Sequence, residues 1–304
     1  MIKLDPKFLI GSVPPLITPF KNGKVDFDTY GKLIEFQIKN GTHGILVNGT
    51  TSEPSTLTIS ERNELVKFAV NAVKKRIPVV AQTGSQSHAD SVELTEFAHK
   101  AGADALLILT PYFIRAPQRG VAEYYVDLAR RTNLPVMMYH IPGRSAFKVE
   151  LATLERIMEK APNFVGIKHA VDDHNFVSEM LQTFGPEFRI FVGLEEFTFS
   201  MMAMGSLGTM NAAANVMPAK VAQLCNEVLA GNMAAARKLH FEMFEVMKAI
   251  FYDTNPIPMK YMMKRLGIIE RNEHRLPMVP ATPELEKRLD GVLERAGLLS
   301  AKAA

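Results

Sequence analysis

Short apolar runs separated by longer amphipathic stretches recur along almost the whole chain, and this alternation restricts the fold more than any other feature. The runs lie at Ser12–Ile17, Gly44–Asn48, Pro78–Gln82, Ala105–Leu109, Val136–Tyr139, Val165–Lys168, Ile190–Val192 and Gly208–Asn211. They are short and apolar throughout, the pattern of strands buried on both faces. Between them, helical patterns run near Asp26–Asn40, Ser60–Lys75, Asp90–Ala101, Gly120–Thr132, Glu150–Lys160, Asn175–Phe184, Glu195–Met204 and Ala219–Ala230. Local signals support these boundaries. Thr58-Ile59-Ser60-Glu61 is a capping box, Gly41 and Gly102 suit left-handed C-cap positions, and Asn133-Leu134-Pro135 stops one helix before the next strand.

Eight strand–helix units predict a parallel α/β fold, either a closed barrel or an open doubly wound sheet. An open sheet that binds a dinucleotide usually carries GxGxxG after its first strand. Here that strand leads into Thr18-Pro19-Phe20-Lys21-Asn22-Gly23, which is not that motif, so the closed (β/α)8 barrel is expected, over residues 1–231. After Gly231 the alternation stops. Met233–Phe251, Pro258–Leu266 and Pro283–Ala296 read as helices only, predicting a C-terminal helical extension over residues 232–304 that packs outside the barrel or makes an interface. The length of 304 residues suits this division, because such a barrel needs roughly 250.

Composition narrows the partners. Net charge is +3 and the basic residues are dispersed. The densest cluster, Lys74-Lys75-Arg76, falls at an expected helix end, where cations suit the dipole. No basic stripe with aromatic partners is present, so nucleic acid is not expected. No apolar run reaches the roughly 18 residues that span a bilayer, so no membrane partner is expected either. Met1–Pro6 lacks the apolar core of a secretory signal. The single cysteine, Cys225, excludes an internal disulfide and fits a cytoplasmic setting. Its helical context points to a buried hydrophobe.

In a barrel of this kind the chemistry sits at the C-terminal ends of the strands. Lys168, after Phe164-Val165-Gly166-Ile167, should start inside the barrel mouth. Burial lowers a lysine pKa from about 10.4, and a neutral amine can attack a ketone to form an imine. Taken alone, such a lysine is better explained by snorkelling to solvent or by pairing with an acid. Thr50 and Thr51, after Gly49, offer hydroxyls and amides to a carboxylate, although taken alone a plain strand-to-helix turn explains them better. Tyr139, one strand from Lys168, is placed to move protons or simply to fill the core. Arg144, after Pro142-Gly143, can clamp a second carboxylate or sit in solvent. Gly193, Met210 and Asn211 at the seventh and eighth strand ends, with Phe113 and His140 at the fourth and fifth, complete the expected substrate contacts. His140, His169, Glu195 and Glu196 match no metal-ligand spacing, so no metal is expected.

Taken together, these strand ends resemble the dihydrodipicolinate synthase / N-acetylneuraminate lyase family of class I aldolases. The resemblance runs from Gly11–Phe20 through Gly49-Thr50-Thr51-Ser52-Glu53, Thr110-Pro111-Tyr112, Tyr139–Arg144, Gly166-Ile167-Lys168 and Ala214-Asn215-Val216. It continues in Asn255–Tyr261 and ends near Arg275–Pro280. It implies a (β/α)8 barrel in which Lys168 forms the imine and Tyr139 moves protons around it. Thr50 and Thr51 hold the pyruvate carboxylate, Thr50 also passing protons, and Arg144 binds the carboxylate of a second substrate. It also implies a homotetramer, often a dimer of tight dimers, with no metal or organic cofactor. Asn255–Pro258 and Arg275–Pro280 look like the synthase branch.

Several positions depart from that pattern. Phe113 stands where the synthase has a tyrosine that reaches across the tight dimer to complete a proton relay. Ser52 replaces the second glycine of GTTGE. His140 replaces an asparagine, His169 a glutamate and Asn211 a serine. The expectation is that these changes line the pocket of the second substrate and leave the imine chemistry intact. Ile59 and Arg62 stand where lysine-inhibited synthases carry histidines, which implies weak or no lysine feedback. The primary expectation is condensation of pyruvate with an aldehyde such as aspartate semialdehyde. A second is cleavage or dehydration of a 2-keto-3-deoxy sugar acid through the same imine. A third is a silent barrel used as a binding protein.

Overall fold

The computed structural model describes residues 1–299; the end of the expected extension, residues 300–304, lies outside the described residues. Eight parallel strands form the barrel: β1 (Gly11–Ser12), β2 (Ile45–Val47), β3 (Val79–Gln82), β4 (Ala105–Leu109), β5 (Val136–His140), β6 (Phe164–His169), β7 (Arg189–Val192) and β8 (Gly208–Thr209). Each pairs in parallel with the next, from β2 through to β8, and β8 pairs with β1. Pro15 then bridges Leu46 of β2 and closes the ring, which excludes the open sheet.

The first strand is shorter than the expected Ser12–Ile17. Pro14 and Pro15 have no N–H to give to a ladder. Closure falls to two bonds, Leu46 N–H to Pro14 O at 2.9 Å and Leu16 N–H to Leu46 O at 3.0 Å.

Eight helices cover the barrel: α1 (Phe27–Lys39), α2 (Ile59–Val73), α3 (His88–Ala101), α4 (Gln118–Arg130), α5 (Leu151–Lys160), α6 (His174–Phe184), α7 (Thr198–Ala203) and α8 (Pro218–Leu229). The capping box forms as the sequence predicts, with Thr58 and Glu61 satisfying each other's backbone. The helix expected over Glu195–Met204 instead begins as a 3-10 turn, Glu195–Phe197. That turn is buried at its first residue because the Glu195 side chain is drawn inward.

Two apolar layers result. Inside the barrel lie Val13, Leu46, Val80, Leu107, Met137, Val165 and Phe191. The N-terminal segment seals the floor, where the buried Arg189 guanidinium donates to Phe8 O at 3.2 Å and Asp5 O at 3.1 Å. The larger layer lies between strands and helices. The strand ends opposite the floor stay open.

The ladder joining β5 and β6 slips once. Phe164 pairs with Val136 but Gly166 pairs with Met137, so Val165 is an extra residue, a β-bulge. Beyond it Tyr139 pairs with Lys168 and His140 with His169. Alternation then turns Tyr139 and Lys168 into the barrel and both histidines toward the helices.

The two imidazoles lie beside Phe176 of α6, with ring centroids 6.1 and 5.7 Å away. Val149 N–H donates to His140 Nε2 at 3.1 Å. His140 must then carry its own proton on Nδ1, which points at His169 Nδ1 at 3.2 Å. Such an arrangement requires both rings neutral. Burial, followed by the charge of His169, pushes the His140 pKa down to about 3. Burial likewise pushes His169 down to about 4, against the pull of Asp173.

The extension consists of α9 (Met233–Ala249), α10 (Ile257–Arg265) and α11 (Pro283–Arg295). Met243, Val246 and Met247 of α9 share one core with Val221, Leu224 and Val228 of α8. From α10, Lys260 reaches below the Phe20 ring, with Nζ 4.4 Å from its centroid. It ion-pairs with Glu53 and donates to Glu273 O at 2.9 Å. His274 Nδ1 stands 3.2 Å from the other Glu53 oxygen. The side chains of Glu53, Lys260 and His274 are each only 1% exposed, so the pair is desolvated. Burial pushes the Lys260 pKa down, and the Glu53 carboxylate opposes that shift. Among the described residues no helix is long and apolar enough to cross a membrane.

Two stability predictions follow from these buried groups. The unfolded chain protonates His140 and His169 near pH 6.5 whereas the fold keeps them neutral. Their contribution is therefore present above about pH 6.5 and is lost as pH falls toward the folded values near 4 and 3, by up to roughly 1.4 kcal/mol per pH unit for each ring. Urea unfolding between pH 7 and 4.5 should show a weaker pH dependence in the double variant His140→Asn/His169→Gln than in the parent. Identical dependence would remove the pair from the account. Secondly, Lys260→Met strands the Glu53 carboxylate and should cost about 3–5 kcal/mol. Lys220→Met breaks only an exposed 3.0 Å pair with Glu242 and should cost about 0–1 kcal/mol. Equal shifts in unfolding free energy would contradict this ranking.

Candidate active site

Lys168 reaches the barrel mouth from β6 and is 3% exposed. Its Nζ lies 4.2 Å from the centroid of the Tyr139 ring. The Tyr139 hydroxyl is 3.2 Å from Thr50 Oγ1. Thr50 and the buried Thr51 belong to a 3-10 turn, Thr50–Ser52, that follows β2. The leading amides of such a turn have no partner within it and are free to bind an anion. Gly193 follows β7, and a Cβ there would lie 3.2 Å from Lys168 Cε and 2.7 Å from Ala170 Cβ. A glycine avoids the clash with Ala170 and keeps the lysine stem uncrowded. Met210 closes the side of the same cavity and Arg144 stands at its edge.

Of the ten residues singled out from sequence, seven meet here: Thr50, Thr51, Tyr139, Arg144, Lys168, Gly193 and Met210. Three do not. His140 is held between β5 and α6, as described above. Asn211 is buried, with Nδ2 3.4 Å from Thr198 Oγ1, on the side of its strand away from Met210. Phe113 is 88% exposed on the loop after β4, with φ +77°, and lines neither mouth cavity of its own chain. Its neighbour Ile114 is 60% exposed. The expectation that the departures line the second-substrate pocket is therefore corrected for this chain. His169 faces α6 with His140, and the Ser52 hydroxyl is bonded to Leu16 O beneath the turn.

Two residues not assigned a substrate role from sequence complete the cavity. Asn255, between α9 and α10, donates from Nδ2 to Thr51 Oγ1 at 3.0 Å and lines the cavity itself. Its signal was the Asn255-Pro256-Ile257-Pro258 motif, read as a resemblance and not as a contact. Glu195 is fully buried, with Oε1 accepting from Ala212 N–H at 2.6 Å. Its Oε2 has no hydrogen-bond partner. Burial pushes its pKa up to about 7, and the nearby Lys168 charge opposes this. The sequence marks Glu195 only as a candidate metal ligand; among the described residues, no three His, Cys, Asp or Glu side chains cluster to hold a metal ion.

A second cavity of about 200 Å³ adjoins the first and shares Thr50, Arg144 and Asn255 with it. Tyr112 and Arg62 line its far side. The Arg62 guanidinium is buried and donates to Gln82 O, Gln82 Oε1 and Gly84 O. Arg144 therefore stands between a small enclosed space around Lys168 and a larger one open to a second molecule.

Known proteins resemble this chain in sequence and fold. Residues 8–296 match the Dihydrodipicolinate synthetase family. The chain is similar to the 4-hydroxy-tetrahydrodipicolinate synthase of Thermus thermophilus, with 41% identity over 95% of this chain and 97% of the relative. It is also similar to the enzyme of that name from Aquifex aeolicus, at 38% identity over 95% of this chain and 98% of the relative. The crystal structure of dihydrodipicolinate synthase from Aquifex aeolicus superposes with a TM-score of 0.93 at 37% identity, covering 96% of this chain and all of that one. With the closed barrel and the site geometry, these similarities show that the chain belongs to the dihydrodipicolinate synthetase family.

Proposed function

We propose that the protein is a lyase that binds pyruvate as an imine on Lys168 and condenses it with an aldehyde bearing a remote carboxylate, of the aspartate semialdehyde class. The observation that carries this reading is an enclosed amine over the Tyr139 ring, with the Tyr139 hydroxyl 3.2 Å from Thr50. An amine, a proton-moving hydroxyl and an anion-binding turn are what enamine chemistry on a 2-keto acid needs. The names of the relatives support the same reaction.

In this reading the pyruvate carboxylate docks at Thr50 and Thr51, and Asn255 fixes Thr51 from the extension. Lys168 adds to the ketone and water leaves to give the iminium. Tyr139 takes a methyl proton as it hands its own hydroxyl proton to Thr50, whose hydroxyl proton passes in turn to water in the adjoining cavity, and the enamine forms. The enamine carbon attacks the aldehyde, whose distal carboxylate meets Arg144 in the adjoining cavity. Burial matters at each step, because an iminium is an electron sink only where water is scarce enough to preserve it. No metal or organic cofactor has a part in the scheme.

Residues 1–231 then supply the reacting groups, and Asn255, Lys260 and His274 of the C-terminal extension, expected over residues 232–304, brace the turn that binds the carboxylate. We place the protein in the cytoplasm as a homotetramer built from tight dimers, in which the exposed Phe113 and Ile114 meet a partner. Phe113 also keeps a second substrate class in play. A phenyl ring relays no proton, which favours cleavage or dehydration of a 2-keto-3-deoxy sugar acid over the synthase relay.

Incubation with pyruvate and borohydride should add one reduced pyruvate to Lys168, seen by intact mass and peptide mapping, and Lys168→Ala should remain unmodified. A folded parent protein without adduct would sink the imine mechanism and favour a silent barrel. Arg144→Leu separates the two substrate classes. Loss of a charge-assisted bond to a distal carboxylate, worth about 1.5–3 kcal/mol, should raise the KM for aspartate semialdehyde about ten- to a hundredfold and leave the pyruvate adduct unchanged. An unchanged KM, with faster turnover of keto-deoxy sugar acids, would select the second class.

A further inference from the structure

Resting on the imine reading, we infer that Glu195 is the proton donor for the dehydration that makes the iminium, and the counter-charge to that iminium once it exists. Glu195 lines the same cavity as Lys168, close enough for the two charges to interact, on the turn that follows β7, the strand neighbouring the lysine's own. One oxygen is fixed by the Ala212 amide. The other has no partner in the protein, and a buried polar oxygen without a partner is costly unless it has a role. The catalytic scheme gives it one.

The balance of the step supports the assignment. Addition of the Lys168 amine to the ketone gives a neutral carbinolamine. To expel the hydroxyl, the C–O bond must break while the nitrogen lone pair forms C=N, and the leaving oxygen must gain a proton. A protonated Glu195 supplies it. Neutral carbinolamine and neutral acid become iminium, carboxylate and one water. Both charges appear together inside the cavity, so neither is buried alone, the situation that low-dielectric surroundings penalise most. Hydrolysis of the final imine runs the same step backwards.

The titratable groups around Glu195 fit this role. Lys168 from β6 favours its ionised form, and Glu196 on its own turn favours the protonated one. Tyr139 from β5 and Arg144 from the helical turn Pro142–Ser145 beyond it line the same cavity, but the Tyr139 hydroxyl is engaged with Thr50. A carboxyl titrating near pH 7 exists in both forms at working pH, as a donor that must be re-protonated each cycle requires.

The test is the rate of borohydride-trappable adduct formation at saturating pyruvate, from pH 5.5 to 8.5, in the parent, Glu195→Gln and Glu195→Asp. In the parent the rate should fall above about pH 7. Glu195→Gln, the neutral isostere, should form the same Lys168 adduct about a hundredfold more slowly, without the fall. Glu195→Asp should regain part of the rate and keep the fall. A parent rate that does not fall above pH 7, or a Glu195→Gln protein with the parent's rate and profile, would overturn the proposal, and the parent measurement does so even if a variant fails to fold. Absence of any adduct in the parent is a different result: it would reject the imine itself.

Discussion

Between Val136 and Met137 the ladder joining β5 to β6 slips by one residue, and the orientation of the lysine depends on that slip. A strand turns successive side chains to opposite faces. Phe164 and Ile167 both face the helices, an odd separation that an unbroken strand cannot produce. The extra residue at Val165 changes the phase, and Lys168 falls on the inner face beside Tyr139. Gly166 makes the slip possible. A Cβ there would lie 2.1 Å from the Arg189 carbonyl oxygen, a distance no real contact tolerates. Gly193 does a related job one strand along, by leaving space for the lysine stem. The two glycines and the bulge together turn a surface residue type inward.

What lies around the lysine is held from outside the barrel. The turn Thr50–Ser52 is short and has few bonds of its own. Its position is set by Asn255 on Thr51, by the Ser52 hydroxyl on Leu16, and by Glu53 sunk against Lys260 and His274. Two of these three anchors come from the C-terminal helical segment. An ion pair as enclosed as Glu53–Lys260 gives little net stability against an apolar alternative. Its directionality is more useful here, since a misplaced Thr50 would lose the 3.2 Å approach to Tyr139. The helices after the barrel thus act on the chemistry through the geometry of one turn.

Much of this architecture is legible in the sequence because it follows from periodicity and capping. Eight buried strands, the helices between them and the capping box at Thr58 all depend on local residue type. The first strand, expected over Ser12–Ile17, is cut short for a reason that is equally local but not drawn from the sequence, since Pro14 and Pro15 forbid a longer ladder. The Asn22-Gly23 turn is a strong hairpin signal; it joins two short strands, Phe20–Lys21 and Lys24–Val25, with positive φ at both turn residues. What sequence does not reveal is facing. His140 and Asn211 stand next to cavity residues in the chain and on the opposite face in space. Asn255 and Glu195 show the converse. One lies far from the other site residues in the chain, and the other is drawn inward by a 3-10 turn where a regular helix was expected.

Facing also changes what the departures from the synthase pattern mean. Five positions differ near the expected site, yet Ser52, His140, His169 and Asn211 all turn away from the cavity. His140 and His169 are cross-strand partners in direct contact. Their two changes amount to one: a neutral imidazole pair in place of the amide and carboxylate that the resemblance leads one to expect there. The substitution alters the packing between β5, β6 and α6, not the surface a substrate meets. Within one chain, then, the cavity around Lys168 keeps the imine-forming set unaltered. The remaining difference, Phe113, is an exposed side chain that lines neither mouth cavity of its own chain. In the proposed tight dimer Phe113 would act across the subunit boundary, and on that proposal the choice of electrophile and the choice of oligomer are one question.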